Sequence, residues 1–168
     1  MKHFINIKDI PSKDLRKILD AAKKRKNRRK NSNTLDIDKD KPLNGKLLIQ
    51  MFGKPSSRTR LSFYLAIKQL GGGTLTLKSK EIHLGKGGES LADTAKILST
   101  YGDGFMLRTD SDNKIQEFCK YSNIPVINGL SPSSHPTQIL SDVFTVEELK
   151  KNQFQNLTYL GLVIAIMF

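Results

Sequence analysis

From residue 46 onward, short apolar runs alternate with helix-periodic segments, and this alternation constrains the fold more than any other feature of the chain. "KLLIQMF" (46–52) reads as a buried strand. "RTRLSFYLAIKQLGG" (58–72) then repeats apolar residues at helical spacing through Leu61, Tyr64, Ala66, Ile67 and Leu70, ending on glycines that suit a C-cap. "GTLTLK", "GFMLR" and "IPVIN" supply three more strands. Between them lie the helical stretches "ESLADTAKILSTY", with Leu91, Ala95 and Leu98 inward, and "SDNKIQEFCKYS". A last helix, "HPTQILSDVFTVEELKK", sets Pro136 in its first turn, where a missing N–H costs nothing. Strands joined to helices through short loops predict an α/β domain of three layers, α/β/α, around a four-stranded parallel sheet.

In such sheets ligands gather beyond the carboxyl ends of the strands, a rule that sorts the polar residues. Ser56, Ser57, Arg58, Thr59 and Arg60 follow the first strand, Arg108 and Thr109 end the third, and Asn128 to His135 follow the fourth, so all are expected to converge on one sheet edge. At the first loop, free N–H groups of a helix start, two kinds of hydroxyl and a guanidinium together suit phosphate oxygens. The same loop also reads as an ordinary cap, with Ser56 or Ser57 as the N-cap. Arg108, at the end of a buried strand, needs an anionic partner; a ligand and a structural ion pair with Asp103 or Asp110 both answer that need. His135 and Gln138 are three apart at a helix start and share a face. A histidine there serves structure or chemistry.

A formal net charge of +12 invites a polyanion-binding reading. Much of it sits in "KKRKNRRK" (23–30), after the helix-like "SKDLRKILDAA" with Ser12 as N-cap and Leu15, Ile18, Leu19 and Ala22 on one face. Basic residues suit a helix C-terminus, no aromatic residues interleave them to stack bases, and the following "NSNTLDIDKDKP" offers acidic relief. A solvated helix end is therefore preferred to a nucleic-acid module. The single cysteine, Cys119, excludes an internal disulfide framework and fits a reducing, cytoplasmic compartment. No stretch reaches the roughly 18 apolar residues a membrane span needs, so neither membrane nor nucleic acid is an expected partner.

The conjunction of "SSRTR", "IHLG", "ESLADTAKIL" and, some way downstream, "HPTQ" resembles the carbamoyltransferase family, over nearly the whole chain up to about residue 160. "NGLSPSSHPTQILSD" is similar to the ornithine-directed branch of that family. The resemblance implies attack of the side-chain amine of ornithine on the carbonyl carbon of carbamoyl phosphate, giving citrulline and phosphate, with no metal or organic cofactor. It makes residues 1–150 a carbamoyl-phosphate-binding domain, the first of two. By motif, Ser56, Ser57, Arg58 and Thr59 bind the phosphate and Arg108 clamps its oxygens. Arg58, Thr59 and His135 polarise the carbamoyl oxygen, Gln138 holds the carbamoyl amide, and Leu130 lies beside the ornithine backbone. In "EIHLGKGGES", His83 and Lys86 are expected to reach a neighbouring subunit's site within a homotrimer; a flexible connector is the plainer reading of those glycines. An aspartate-directed carbamoyltransferase is the alternative within the family.

The chain departs from the family pattern in four places. Gly53 stands where an acidic residue is usual, Ser57 replaces threonine, and the glycine-rich loop is one residue longer. The largest departure is the end: residues 151–168 read as the start of an ornithine-binding domain whose later motifs are absent, and the tail diverges after Gly161. Read in a shifted frame, codons for Leu162 to Phe168 permit the family's Gly-Asp-Ser-Asn-Asn stretch, so a frameshift is expected, to be decided by the nucleotide sequence. A chain of this kind is expected to bind carbamoyl phosphate without turning it over.

Overall fold

The computed structural model describes residues 3–78 and 90–150. A short 3-10 turn (Ile7–Asp9) leads into α1 (Ser12–Arg28); then come β1 (Leu47–Phe52), α2 (Arg58–Gln69), β2 (Gly73–Lys78), α3 (Leu91–Tyr101), β3 (Gly104–Arg108), α4 (Asp112–Tyr121), β4 (Val126–Leu130) and α5 (Pro136–Lys150). The four strands form one parallel sheet in the order β2-β1-β3-β4. The expected α/β architecture is therefore the observed one.

Because alternate side chains of a strand face opposite ways, each central strand supplies two layers. Ile49 and Met51 of β1 join Phe105 and Leu107 of β3 in a core closed by Ala95 of α3 and Ile115 and Phe118 of α4. Phe105 and Phe118 stack at 4.2 Å between ring centroids. Leu91 and Leu98 pack against this core as their spacing predicts. On the alternate positions stand Leu48, Gln50 and Met106, also buried. Met106 explains Gly129: a Cβ there would lie 2.3 Å from its Sδ.

Local boundaries differ from the sequence reading in ways that have physical causes. Pro11, with φ −56°, is the residue that caps α1; Ser12 is already helical, and its hydroxyl makes no cap bond. Of the four residues expected on the inner face of α1, Leu19 is buried and Leu15 half-buried, whereas Ile18 and Ala22 are exposed. On α2, Ile67 and Leu70 are half-buried, but Leu61, Tyr64 and Ala66 face outward. The fourth strand runs on through Gly129 to Leu130, because a register shift opposite Leu107 and Arg108 keeps it paired beyond "IPVIN".

The N-terminal segment extends the sheet's far edge. Phe4 bridges Ile127 in parallel, its N–H bonding Val126 O at 2.8 Å and its carbonyl accepting from Asn128 N–H at 2.9 Å. Val126 N–H in turn donates to His3 Nδ1 at 3.1 Å. Farther on, the Arg16 guanidinium grips both carboxylate oxygens of Glu147, tying α1 to α5.

Four of the seven basic residues in 23–30 are paired within the chain. Arg25 pairs with Asp38 at 2.5 Å and Asp40 at 3.0 Å, Arg29 with Asp38 at 2.6 Å, Arg28 with Asp40 at 3.8 Å and Lys26 with Glu148 at 2.6 Å. The polar loop after α1 thus supplies the expected acidic relief, and it holds Asp38 and Asp40 below the usual carboxylate range. Asp40 owes this first to its hydrogen bond with Arg25; at Asp38 the bonds from Arg29 and Arg25 outweigh a larger opposing effect of burial.

Gln50 is fully buried, and neither amide atom has a hydrogen-bond partner among the described residues. An unmade bond of this kind costs about 1 to 3 kcal/mol. Gln50→Met keeps the volume and removes both polar atoms, so it is expected to raise the urea midpoint of unfolding. A lowered midpoint would show that the amide has a stabilising partner.

Candidate functional site

The strand order reverses direction between β1 and β3: the chain leaves β1 for β2 on one side and returns to β3 on the other. A crevice opens at such a switch point, outside the carboxyl ends of the strands. Here it is a cleft of about 510 Å3 whose walls include Ser56 to Thr59, Arg108, Leu130, His135 and Gln138. Every described residue expected to bind substrate therefore lines one cavity. Arg60 and Thr109, which sequence reading also brought to this edge, do not line it. His83 and Lys86 lie outside the described residues.

The first wall is the start of α2. Ser57 occupies the N-cap position, yet its side chain makes no cap bond, and the first turn contains no acidic residue. Ser57 thus caps α2 by position alone: among the described residues, neither the Ser56 nor the Ser57 hydroxyl is committed to the helix. The positive end of the helix dipole and Arg58 face the cleft with nothing acidic in the first turn to offset them.

The second wall is the end of β3. Arg108 Nη1 lies 3.4 Å from Thr59 Oγ1, and its Nε is buried without a partner among the described residues. Neither acidic residue considered as its partner serves it: Asp103 binds Lys46 Nζ at 2.8 Å and Leu47 N at 2.9 Å, while Asp110 binds Lys114 at 3.2 Å. Burial and then the neighbouring Arg58 lower the pKa of Arg108, which reports two cations facing one space. Among the described residues no carboxylate forms an ion pair with either guanidinium. Gly53 supports this wall from β1: its N–H bonds Arg108 O at 2.8 Å, and a Cβ would meet that oxygen at 3.1 Å.

The third wall is the chain from β4 into α5. Leu130 adopts φ +148°, a conformation costing a non-glycine residue about 1–3 kcal/mol. It is held there from both sides: its N–H donates to Asn128 Oδ1 at 2.9 Å and its carbonyl accepts from Thr109 N–H at 2.9 Å. Asp112 at the start of α4 accepts from both the N–H and the hydroxyl of Ser133, fixing the loop that delivers His135. His135 is buried, and its Nδ1 lies 3.3 Å from Thr137 Oγ1, while no hydrogen bond engages Nε2 among the described residues.

Sequence reading missed Pro55, Ser62, Phe63, Thr137, Ser141 and Asp142, which complete the lining. Helical spacing carries the signal for several of them. Ser62 is one turn beyond Arg58, and Asp142 is one turn beyond Gln138, whose Nε2 donates to Asp142 Oδ1 at 3.0 Å.

Burial first, and Arg108 second, lower the pKa of His135 from 6.5, with Asp142 opposing them. The fold thus favours neutral imidazole: the contribution of His135 to stability is complete above about 6.5 and is lost as pH falls below that value towards the folded pKa. In an NMR titration of the chain, Arg108→Gln is expected to move the His135 midpoint upward, because a neighbouring cation has gone while burial remains. A midpoint that stays or falls would mean that Arg108 does not act on His135.

The family model described as the aspartate/ornithine carbamoyltransferase, carbamoyl-P binding domain, matches residues 2–148. The ornithine carbamoyltransferase of Brucella ovis is 45% identical over 148 residues, which cover 88% of this chain and 46% of that protein. Among solved structures, ornithine carbamoyltransferase from Pyrococcus furiosus superposes with a TM-score of 0.82 at 38% identity, over 89% of this chain and 46% of that one. The catalytic subunit of M. jannaschii aspartate transcarbamoylase gives 0.77 at 38% identity, over 90% and 48%. The chain spans about half the length of the curated relatives it matches. With a family model covering all the described strands and the whole cleft, the chain belongs to the aspartate/ornithine carbamoyltransferase family.

Proposed function

We propose that the protein is an ornithine carbamoyltransferase and that residues 1–150 form its carbamoyl-phosphate-binding domain, with ornithine held by chain outside the described residues. The observation that carries this reading is the pair Arg58 and Arg108, unpaired by any carboxylate among the described residues, in a cleft that also presents uncommitted serine hydroxyls. A departing phosphate dianion needs fixed positive charge and donors already in place. Arg58, Arg108, the Ser56, Ser57 and Thr59 hydroxyls and the α2 N-terminus supply them. In the reaction, the amine nitrogen of ornithine bonds to the carbonyl carbon, the carbonyl oxygen takes up the developing charge beside Arg58, Thr59 and His135 Nε2, and the carbon–oxygen bond to phosphate then breaks. The amine's proton leaves with the departing groups or solvent. Gln138 holds the carbamoyl nitrogen, and Leu130 borders the space left for the acceptor. The rate advantage comes from positioning and electrostatics.

Ornithine as acceptor is supported by the names of the curated relatives and by "NGLSPSSHPTQILSD". Aspartate stays as a second reading because the aspartate transcarbamoylase subunit superposes on this cleft domain at the same identity as the ornithine enzyme from Pyrococcus furiosus. Formation of citrulline rather than carbamoyl-aspartate by the whole protein distinguishes the two. A homotrimer, with His83 and Lys86 completing a neighbour's pocket, is supported by the exposure of Leu61 and Tyr64 on α2 and Leu75 on the edge strand β2. A cytoplasmic location accords with Cys119, whose burial pushes its thiol up to about 11 and keeps it unreactive. The internal pairing of Arg25, Lys26, Arg28 and Arg29 speaks against a nucleic-acid role.

Calorimetric titration of the chain with carbamoyl phosphate is expected to show binding that Arg58→Ala weakens about 100-fold, the scale of losing a charge-assisted pair of hydrogen bonds. Binding that survives the substitution would sink the proposed cradle. Sedimentation equilibrium is expected to return a three-chain mass that Leu61→Asp with Tyr64→Asp reduces; a monomer in the parent chain would refute the assembly.

A further inference from the structure

We infer that Asp142 is a positioning residue that makes the site selective for a carbamoyl group over an acyl group of the same shape, by fixing which end of the Gln138 amide faces the cleft. The inference rests on the proposed reading of the cleft as a carbamoyl-phosphate site and goes beyond it in assigning the source of its selectivity. Asp142 lines the cleft, one helical turn beyond Gln138. Its Oδ1 accepts from Gln138 Nε2 at 3.0 Å, and its Oδ2 is buried without a partner among the described residues.

A negative charge beside two arginines that await an anion opposes ligand binding, so this carboxylate needs another reason to be there. Its chemistry supplies one. An ionised carboxylate only accepts hydrogen bonds, whereas a side-chain amide has a donating and an accepting end that a simple flip exchanges. Facing Asp142, Gln138 must turn its NH2 group towards the carboxylate. Its Oε1 is then left for the ligand, and an oxygen acceptor recognises an N–H and rejects a methyl group in the same place. Gln138 is exposed in the open cleft, so the discrimination arises once the ligand covers it: an analogue without the N–H then leaves Oε1 shielded from water and unmet. Carbamoyl phosphate has an NH2 where acetyl phosphate has a methyl, so the two compounds isolate this contact.

The test uses calorimetry on the full 168-residue chain with carbamoyl phosphate, acetyl phosphate and inorganic phosphate. The parent chain is expected to prefer carbamoyl over acetyl phosphate by about tenfold or more. Asp142→Asn keeps the shape but offers either a donor or an acceptor, which frees Gln138 to flip. The preference should fall to within about threefold, while inorganic phosphate binds more tightly because a negative charge has gone. In a Gln138→Leu background, Asp142→Asn should leave the carbamoyl-to-acetyl ratio where Gln138→Leu put it, since a positioning residue acts only through the group it positions. A preference unchanged in Asp142→Asn overturns the inference and leaves the cradle standing. An equal loss for all three ligands overturns it too, in favour of a structural role. Absence of any Arg58-dependent phosphate binding in the parent chain overturns the underlying reading of the cleft, and this inference with it.

Discussion

The carboxamide of Asn128 holds the functional end of this molecule together. It is fully buried at the end of β4, where Nδ2 lies 3.1 Å from Ile5 O, 3.0 Å from Ser131 Oγ and 3.2 Å from Ser134 O, while Oδ1 accepts from Leu130 N–H. One side chain thus links the N-terminal segment, the last strand and the loop before α5. The unusual backbone of Leu130 survives because this amide and Thr109 over-determine it. His135 inherits its position from the same loop, which Asp112 pins from α4. A smaller residue at 128 would leave several buried polar groups unmet at once, and the third wall of the cleft would lose its geometry before the core lost any apolar contact.

The chain treats its excess positive charge in two opposite ways. Along the end of α1, arginines meet Asp38 and Asp40 closely, so the arginines of the most basic stretch are offset within the chain. In the cleft, where fewer cations lie, Arg58 and Arg108 are left to repel each other, and Arg108 is half-buried while doing so. Folding alone does not favour that arrangement. An anion between the two guanidiniums relieves the repulsion and supplies the partner that burial denies. Local pairing, rather than the density of charge along the sequence, therefore separates a solvated surface from a binding site.

Much of this was legible in the sequence because it depends on local chemistry. Strand and helix periodicity located all four described strands, and the rule that ligands gather at strand carboxyl ends places Arg58, Arg108, His135 and Gln138 at one edge, where the cleft lies. The failures lie where local pattern meets long-range packing. Leu61 and Tyr64 carry a helical apolar period, yet the other described residues provide no layer to cover them. The spacing of Ile18 and Ala22 likewise fixed a face of α1 without saying how little of it α5 would cover. The irregular end of β4 depends on a register shift against β3, which no window within "IPVINGL" contains. Asp142 lies outside the motif "HPTQ", although one further helical turn leads to it.

The sheet's far edge also sets an order for making the site. The α2 wall needs only β1 and the start of α2, neighbours in the chain. The β4 wall needs His3 to Ile5, the earliest described residues, to meet residues near 126 and 128. During synthesis those first residues emerge long before their strand does, and they must wait exposed until most of the domain has followed. The start of α2 can thus take shape on a growing chain, whereas His135 and the strained Leu130 are set only when the N-terminal segment meets β4, a late step because closing so long a loop is slow. A sequence added ahead of His3 would act through this junction, so its effects would be felt at His135, more than a hundred residues away.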